Sequence, residues 1–187
     1  MKKIFFLVFY IIYFFTYSNL MASEEAKFSV LKSNKIYEIR KYSDRIVVEV
    51  ISKNQDNSFR KLFNYISGHN KTGQKIQMTR PVTEIKKESF LKMQFYLPAK
   101  FSLKNVPNPI NPDLKINVIK GGFYAAIRYS GRASNSNFIK HKAILKNELI
   151  KDNILILSSP IKATYNRPFT LPQLRRNEAM YKIDFKT

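Results

Sequence analysis

One predicted helix carries the residues whose types and spacing best suit ligand binding. Over residues 57–67, apolar residues recur at helical spacing and mark a buried stripe that ends at Phe59. Phe63 lies about 40° beyond Phe59 on the helical wheel, and Arg60 lies on the same flank. Either Phe63 widens the buried stripe, or it forms the apolar floor of a surface groove with a cationic rim. Such a groove suits a flat apolar ring that bears carboxylates, because arginine pairs with carboxylates through two parallel hydrogen bonds.

The sequence offers no cluster of groups typical of catalysis or metal binding. It has no cysteine, no glycine-rich phosphate loop, and two histidines that lie in different halves of the chain. His141 shares the apolar side of a predicted helix, and we expect it to be a partly buried structural residue. His69 follows Gly68 in a polar loop, where it is either an ordinary turn residue or an exposed imidazole able to ligate a metal. The chain therefore carries no positive sign of an enzyme.

The helix that positions these residues has recognisable ends. Asp56, Asn57 or Ser58 is expected to cap its N-terminus. Gly68 stands where a C-terminal glycine belongs. Leu62 and Ile66 are expected to face the core, and the polar residues 69–74 predict a loop.

The rest of the pattern predicts a β-rich domain made of two similar halves. Period-two apolar runs and β-branched residues predict strands at 28–31, 36–42, 45–52, 91–97, 114–120, 124–129, 154–158, 161–165 and 179–185. The strands at 36–42 and 45–52 are expected to pair as a hairpin around Ser43 and Asp44. A second helix at 137–151 repeats the plan of the first half, and four prolines predict a loop at 98–112. We therefore predict an α+β fold: a distorted antiparallel β-barrel from two pseudo-repeated halves, with two four-stranded sheets and one helix per half packed outside.

Residues 1–22 have the form of a secretory signal peptide, followed by a single domain at 23–187. A basic start precedes an apolar run from Ile4 to Tyr17, which is shorter than the roughly 20 residues that cross a bilayer. An uncleaved anchor is the alternative. Loss of residues 1–22 removes two lysines and no acidic residue, so the net charge changes from +20 to +18. We expect a periplasmic or secreted protein whose charge either gives a basic, soluble surface or allows anionic ligands or lipids as partners, and export argues against nucleic acid.

Three short segments taken together resemble the SOUL haem-binding protein family. They are Tyr37–Arg40, Lys75–Val82, and Tyr165–Pro168 running on to Arg175–Glu178. The resemblance covers nearly all of residues 28–187 and implies a small β-rich domain that binds a tetrapyrrole. In structural terms we expect Met78 and Val82 to be buried and Pro81 to mark a bend or a strand edge. Arg175–Glu178 are expected to form a buried or half-buried polar network at the entry to the last strand.

The resemblance also implies where the ligand would lie. In haem-binding members the same helix flank forms the site, with methionines as its floor, and Phe59 and Phe63 occupy those positions here. The family's basic positions fall on Asp56, Asn64 and Thr170, and the axial histidine position of one branch falls on Lys41. The predicted ligand-binding residues are Phe59, Arg60, Phe63, Asn64, Ser67 and Thr170.

Neighbouring residues are expected to replace the missing basic and axial groups. Arg60, Lys61 or Lys71 would supply the cation, and His69 would supply the iron ligand. We therefore predict an exported, monomeric, non-enzymatic carrier or buffer of haem, bound non-covalently. The alternatives are a binding module for another apolar anion or for an anionic membrane surface, and an enzyme that modifies a tetrapyrrole, for instance by removing its metal.

Overall fold

The computed structural model of this protein describes residues 23–53 and 55–186, so the predicted leader at 1–22 lies outside the described residues. Two helices and nine strands account for the regular structure of this part of the chain. In chain order they are β1 (Phe28–Ser33), β2 (Glu38–Tyr42), β3 (Arg45–Ser52), α1 (Gln55–Ile66), β4 (Val82–Lys87), β5 (Phe90–Tyr96), β6 (Leu114–Ile119), β7 (Gly122–Tyr129), α2 (Asn135–Lys151), β8 (Ile161–Thr164), a short 3-10 helix (Pro172–Leu174) and β9 (Asn177–Ile183).

All nine strands belong to one curled antiparallel sheet in the order β1-β2-β7-β9-β8-β4-β5-β3-β6. The order is symmetric about the β4–β8 pair: β5 lies between β4 and β3, as β9 lies between β8 and β7. Each half therefore repeats strand, helix, strand, strand, which confirms the predicted α+β fold with two pseudo-repeated halves. The halves are joined into a single sheet by the β4–β8 ladder, rather than forming two separate sheets, and β1 adds a ninth strand.

Both helices pack on the same face of this sheet. Phe95, Val82 and Thr164 lie opposite one another on β5, β4 and β8, and Asn177 on β9 lies opposite Thr164. Directly opposite residues point to the same face, so the face that α1 covers at Phe95 is also the face that α2 covers at Ala179. The other, concave face holds a core of its own, covered by the segment that leads into β1. Its members are Tyr42, Tyr124, Ala126, Ala163, Tyr165 and Met180, with Ala26 and Phe28 against them.

The predicted hairpin between 36–42 and 45–52 is wrong. Both strands exist, but β2 pairs with β1 and β7, whereas β3 pairs with β5 and β6. Tyr42 lies opposite Gly122, and three residues further on Arg45 lies opposite Ile119, so one register continues past residues 43–44. The chain therefore bends there and passes from one half to the other, without folding back on itself.

Contacts between two bends explain this geometry. The Asp44 carboxylate accepts a hydrogen bond from the Gly121 backbone N–H at 2.8 Å and one from Lys120 Nζ at 2.9 Å. A Cβ atom at residue 121 would lie 2.5 Å from the Tyr42 carbonyl oxygen, so only glycine allows this close approach. The bend at 43–44 thus needs a partner 77 residues away, which the local sequence does not show.

The predicted strand at 154–158 is also absent as a regular strand. Ile156 forms an isolated bridge with Ile183, and the Leu157 N–H donates to the Lys182 carbonyl. The Lys182 N–H donates to the Ser158 hydroxyl oxygen at 2.9 Å. This oxygen takes the place of the carbonyl that a regular ladder would provide. A side chain therefore interrupts the backbone pairing along β9.

The helices lie close to their predicted positions. Helix α1 begins at Gln55, so Asp56, Asn57 and Ser58 lie within its first turn and do not cap it. Gly68 follows its last turn with a φ of +113°, as a C-terminal glycine should. Helix α2 begins at Asn135 and is capped by the Ser134 side chain.

Candidate functional site

Helix α1 has a buried side and an exposed aromatic flank. Leu62, Tyr65 and Ile66 are buried against β3 and β5. Phe59 and Phe63 are 39% and 47% exposed, although they follow the same helical spacing. Phe63 therefore does not widen the buried stripe but lies on the surface, and ligand binding at this flank stays a prediction.

The two phenylalanine rings form a short apolar ridge. Their centroids are 6.1 Å apart and their planes differ by 12°. The Phe59 ring also packs against Phe95 on β5 in an edge-to-face arrangement, with the ring centroids 5.2 Å apart. This contact anchors the ridge to the sheet. The spacing of four residues places both rings on one side of the helix, where both are partly exposed to solvent.

Polar residues of the same helix border this ridge. Arg60, Asn64 and Ser67 are exposed, and we call them, together with Phe59 and Phe63, the α1 flank. The Arg60 guanidinium donates to the Asn57 side-chain oxygen at 3.2 Å and forms no ion pair with any described carboxylate. Lys61, by contrast, is paired with Asp113 at 2.6 Å. Arg60 is therefore the cation of this helix that is best placed to meet an incoming anion.

The loop after α1 is held by one asparagine. The Asn70 side chain donates to the carbonyls of Tyr65 and Gln74 at 3.1 and 2.7 Å, and its oxygen accepts bonds from Thr72 and Gln74. His69 precedes it, and its backbone N–H donates to the Asn64 carbonyl at 3.0 Å. The His69 side chain is exposed beside the end of α1 and makes no hydrogen bond to a described residue. Lys71, in the same loop, is exposed as well.

Two predicted residues lie outside the α1 flank. Thr170 is in the connection between β8 and β9, where it lines a shallow cleft of about 460 Å³ with residues 132–134, 168–172 and 175. Lys41 is on β2, and its ammonium lies 5.9 Å from the centre of the Phe123 ring. Helix α1 packs against β3 and β5, in the half of the sheet that does not contain β2. The structure therefore brings together five of the six predicted ligand-binding residues, and it places Lys41 in the other half of the sheet.

The motif residues form a buried ionic network on the concave face. The Arg40 guanidinium donates two bonds to Glu178, at 2.7 and 3.1 Å, and both side chains are fully buried. Arg176 binds Glu178 at 2.9 Å and Glu25 at 3.0 Å, and the Tyr165 hydroxyl donates to Glu178 at 2.7 Å. The predicted network at the entry to the last strand is confirmed, and it also holds the motif at 37–40 and the start of the described chain.

This network is structural in its chemistry. Burial raises the pKa of Glu178, but the contacts with Arg40 and Arg176 outweigh it and hold the pKa below its usual value. The carboxylate therefore stays ionised and has every oxygen bonded, so it is a poor proton acceptor. Within residues 23–53 and 55–186, no group of three or more histidine, aspartate or glutamate side chains lies close enough to hold a metal ion.

Sequence reasoning missed an apolar surface beside Thr170. Phe169, Leu171 and Leu174 are among the most exposed large apolar side chains that the structure describes. They fall between the prolines at 168 and 172 and just after the second of these. Apolar residues without strand or helix periodicity next to prolines were the available signal.

Comparison with known proteins gives a family and a fold. The model of the family described as SOUL heme-binding protein matches residues 23–182. No curated protein sequence matches the chain.

Several solved structures are similar in fold. A hydrolase from Listeria innocua shares 9% identity at a TM-score of 0.59, with 82% of this chain and 94% of that chain covered. An uncharacterized conserved protein from Listeria innocua shares 10% identity at a TM-score of 0.60, with 81% and 94% covered. The EcmrR C-terminal domain shares 14% identity at a TM-score of 0.59, with 79% and 96% covered. At these identities the likeness shows the fold alone.

Proposed function

Because this chain belongs to the SOUL heme-binding protein family, we propose that it binds haem or a related tetrapyrrole non-covalently at the α1 flank. We further propose that it acts as a carrier or buffer of that ligand and catalyses no reaction on it. The observation that carries the proposal is the pair of exposed, nearly parallel rings of Phe59 and Phe63. They stand where haem-binding members have their apolar floor.

The residues of the α1 flank fit the two chemical parts of a tetrapyrrole. The macrocycle is flat and apolar, and burying it against the half-exposed rings of Phe59 and Phe63 removes apolar surface from water on both partners. The propionates are anionic, and Arg60 offers a guanidinium that no described carboxylate neutralises. Lys71 adds a second exposed cation in the adjoining loop.

His69 is the proposed iron ligand. Its imidazole is exposed next to the end of α1, and the bonds made by Asn70 fix the loop that carries it. A bound haem would supply the iron to which a neutral imidazole coordinates. Lys41, which occupies the family's axial position, lies on β2 away from this flank, so it is the weaker choice.

The open setting of the flank favours a carrier over a storage site. Phe59 and Phe63 lie on the surface of the domain, with 39% and 47% of their area exposed. A ligand bound there keeps one face near water and is released more readily than a ligand in a closed pocket. The net charge of +20 favours the approach of anionic ligands. Action in the periplasm or outside the cell rests on the leader predicted at residues 1–22.

A haem titration followed by Soret absorbance tests the proposal. Wild-type protein should give a saturable shift, and Phe63→Asp should weaken binding at least tenfold, because it replaces an apolar contact with a charge that repels propionates. Phe90→Asp is the matched control, since Phe90 on β5 is also 47% exposed, and it should bind as wild type does. His69→Ala should alter the spectrum of the bound form. Absence of a saturable shift, or equal binding by Phe63→Asp and Phe90→Asp, would rule out this site.

A further inference from the structure

The connection between β8 and β9 presents bulky apolar side chains to solvent. Phe169 is 78% exposed and Leu174 is 70% exposed, the two highest values among the large apolar residues that the structure describes. Leu171, between them, is 63% exposed. Single exposed apolar residues are common on proteins, but three within six positions form an apolar patch of the kind that marks an interaction site. We call residues 167–174 the apolar loop.

Internal hydrogen bonds give the apolar loop a defined shape. Arg175 Nε donates to the Thr170 carbonyl at 2.7 Å, and the same guanidinium donates to the Pro168 carbonyl. The Gly131 N–H donates to the Pro172 carbonyl at 2.8 Å, which ties the loop to the segment before α2. The backbone polar groups are therefore bonded inward, while the apolar side chains point out. A loop built in this way presents its apolar tips at little cost in conformational freedom.

Two arginines lie beside the loop. Arg167 lies at the start of the loop, with its guanidinium 5.9 Å from the Phe169 ring centre. Arg132 lines the cleft beside the loop, and both arginines are exposed. Neither forms an ion pair with a described carboxylate.

An apolar tip framed by arginines matches the chemistry of an anionic bilayer surface. Phenylalanine and leucine side chains enter the boundary between headgroups and acyl chains, while arginines pair with the lipid phosphates. We propose that the apolar loop docks this domain peripherally onto anionic membranes, with Phe169, Leu171 and Leu174 inserted and Arg132 and Arg167 at the headgroups. None of the described helices is long and apolar enough to cross a membrane. The inference goes beyond tetrapyrrole binding and does not depend on it.

The absence of tryptophan from the sequence provides a clean test. Phe169→Trp places a single fluorophore in the loop, and Ile110→Trp places one at another exposed apolar position, 63%, in the proline-rich connection. Each full-length variant is mixed with phosphatidylcholine vesicles, with or without about one-third phosphatidylglycerol. The expected result is a blue shift and quenching by brominated lipid for Phe169→Trp with anionic vesicles only, and neither change for Ile110→Trp. Because each probe reports its own surroundings, the result does not depend on what residues 1–22 do.

Charge reversal completes the test. In the Phe169→Trp background, Arg132→Glu and Arg167→Glu should each weaken the partition onto anionic vesicles by at least about fivefold, since loss of one basic residue alone removes about that factor near an anionic surface and the new carboxylate adds repulsion. Raising salt should have the same direction of effect. No blue shift for Phe169→Trp, or equal shifts for both tryptophan variants, would overturn the proposal. A shift with neutral vesicles that charge reversal leaves unchanged would also overturn it.

Discussion

The Arg40–Glu178 network and the α1 flank contain similar residue types but have opposite properties. Both contain arginines and aromatic rings, but the network is buried and every charge in it has a partner. On the α1 flank the rings are half exposed, and Arg60 makes only a long bond to Asn57. A buried ion pair whose groups are fully bonded fixes one arrangement of the chain, whereas an exposed cation beside exposed rings is available to a ligand.

This difference separates the signature of the family from the site of the ligand. The motif segments at 37–40, 165–168 and 175–178 meet in the network, so their residue types are required by the fold. The α1 flank is held to the fold by the buried side of its helix and by the contact between Phe59 and Phe95. Its exposed residues make few contacts with the rest of the domain, so substitutions there should leave the fold largely intact. The two regions should respond to mutation in different ways.

The largest expected effect is on stability, from Glu178→Gln. Removing the carboxylate charge leaves the buried Arg40 with only the partly exposed Glu38 as a counter-ion, and breaking a buried pair in this way costs about 3–5 kcal/mol. The free energy of unfolding from a denaturant titration measures it. Glu148→Gln is the control, because Glu148 pairs with Lys151 on the surface and its loss should cost less than about 1 kcal/mol. Equal costs for the two variants would show that the network does not hold the fold.

Two adjacent residues of α1 should show the same contrast on one helix. Leu62 is fully buried, so Leu62→Ala should lower the free energy of unfolding by about 2–5 kcal/mol. Phe63 is half exposed, so Phe63→Ala should cost only about 0.5–1 kcal/mol while weakening haem binding. Thermal or denaturant unfolding distinguishes them. If Phe63→Ala destabilised the domain as much as Leu62→Ala, the phenylalanine would belong to the core after all.

A smaller effect is expected from acid. The pKa of Glu178 is below its usual value of 4.5 in the folded protein. Its stabilising contribution is therefore fully present above pH 4.5 and is lost as the pH falls through the folded pKa, with a slope of at most about 1.4 kcal/mol per pH unit. Unfolding measured from pH 7 to pH 3 should show the gap between wild type and Glu178→Gln closing in acid. A gap that stays constant would mean that this carboxyl titrates alike in both states.

The smallest effect is expected on the rim of the α1 flank. Arg60→Glu should weaken haem binding about two- to fivefold at low salt, because an exposed charge pair is worth at most about 1 kcal/mol. The difference from wild type should fade as salt screens the charges. Lys104→Glu makes the same change of net charge in the 98–112 connection and should leave the affinity nearly unchanged. If Lys104→Glu weakened binding equally, the overall charge and not Arg60 would be responsible.

How much of the fold and of the candidate site could be predicted from the sequence depended on how far apart along the chain the interacting residues lie. The flank of α1 was predictable because Phe59 and Phe63 are four residues apart and the wheel needs no other information. Tyr65 was missed as a core residue because its burial comes from the connection at 98–112, which is distant in sequence. The Pro107 carbonyl of that connection accepts a hydrogen bond from the tyrosine hydroxyl at 2.7 Å. Alternation revealed the strands at 36–42 and 45–52 but not their partners, since the contact between Asp44 and Gly121 sets the bend. The exposure of Phe169 likewise depends on how Arg175 closes its loop.

Mapping the ligand on the protein tests the central claim most directly. Backbone amide NMR spectra, recorded during titration with zinc protoporphyrin as a diamagnetic stand-in for haem, report where the macrocycle lies. We expect the shifts to concentrate at residues 56–71, which include the α1 flank and His69, with little change around Arg40 and Glu178. Shifts centred on the buried network, or on the cleft at 132–134, 168–172 and 175 with none in α1, would contradict the account.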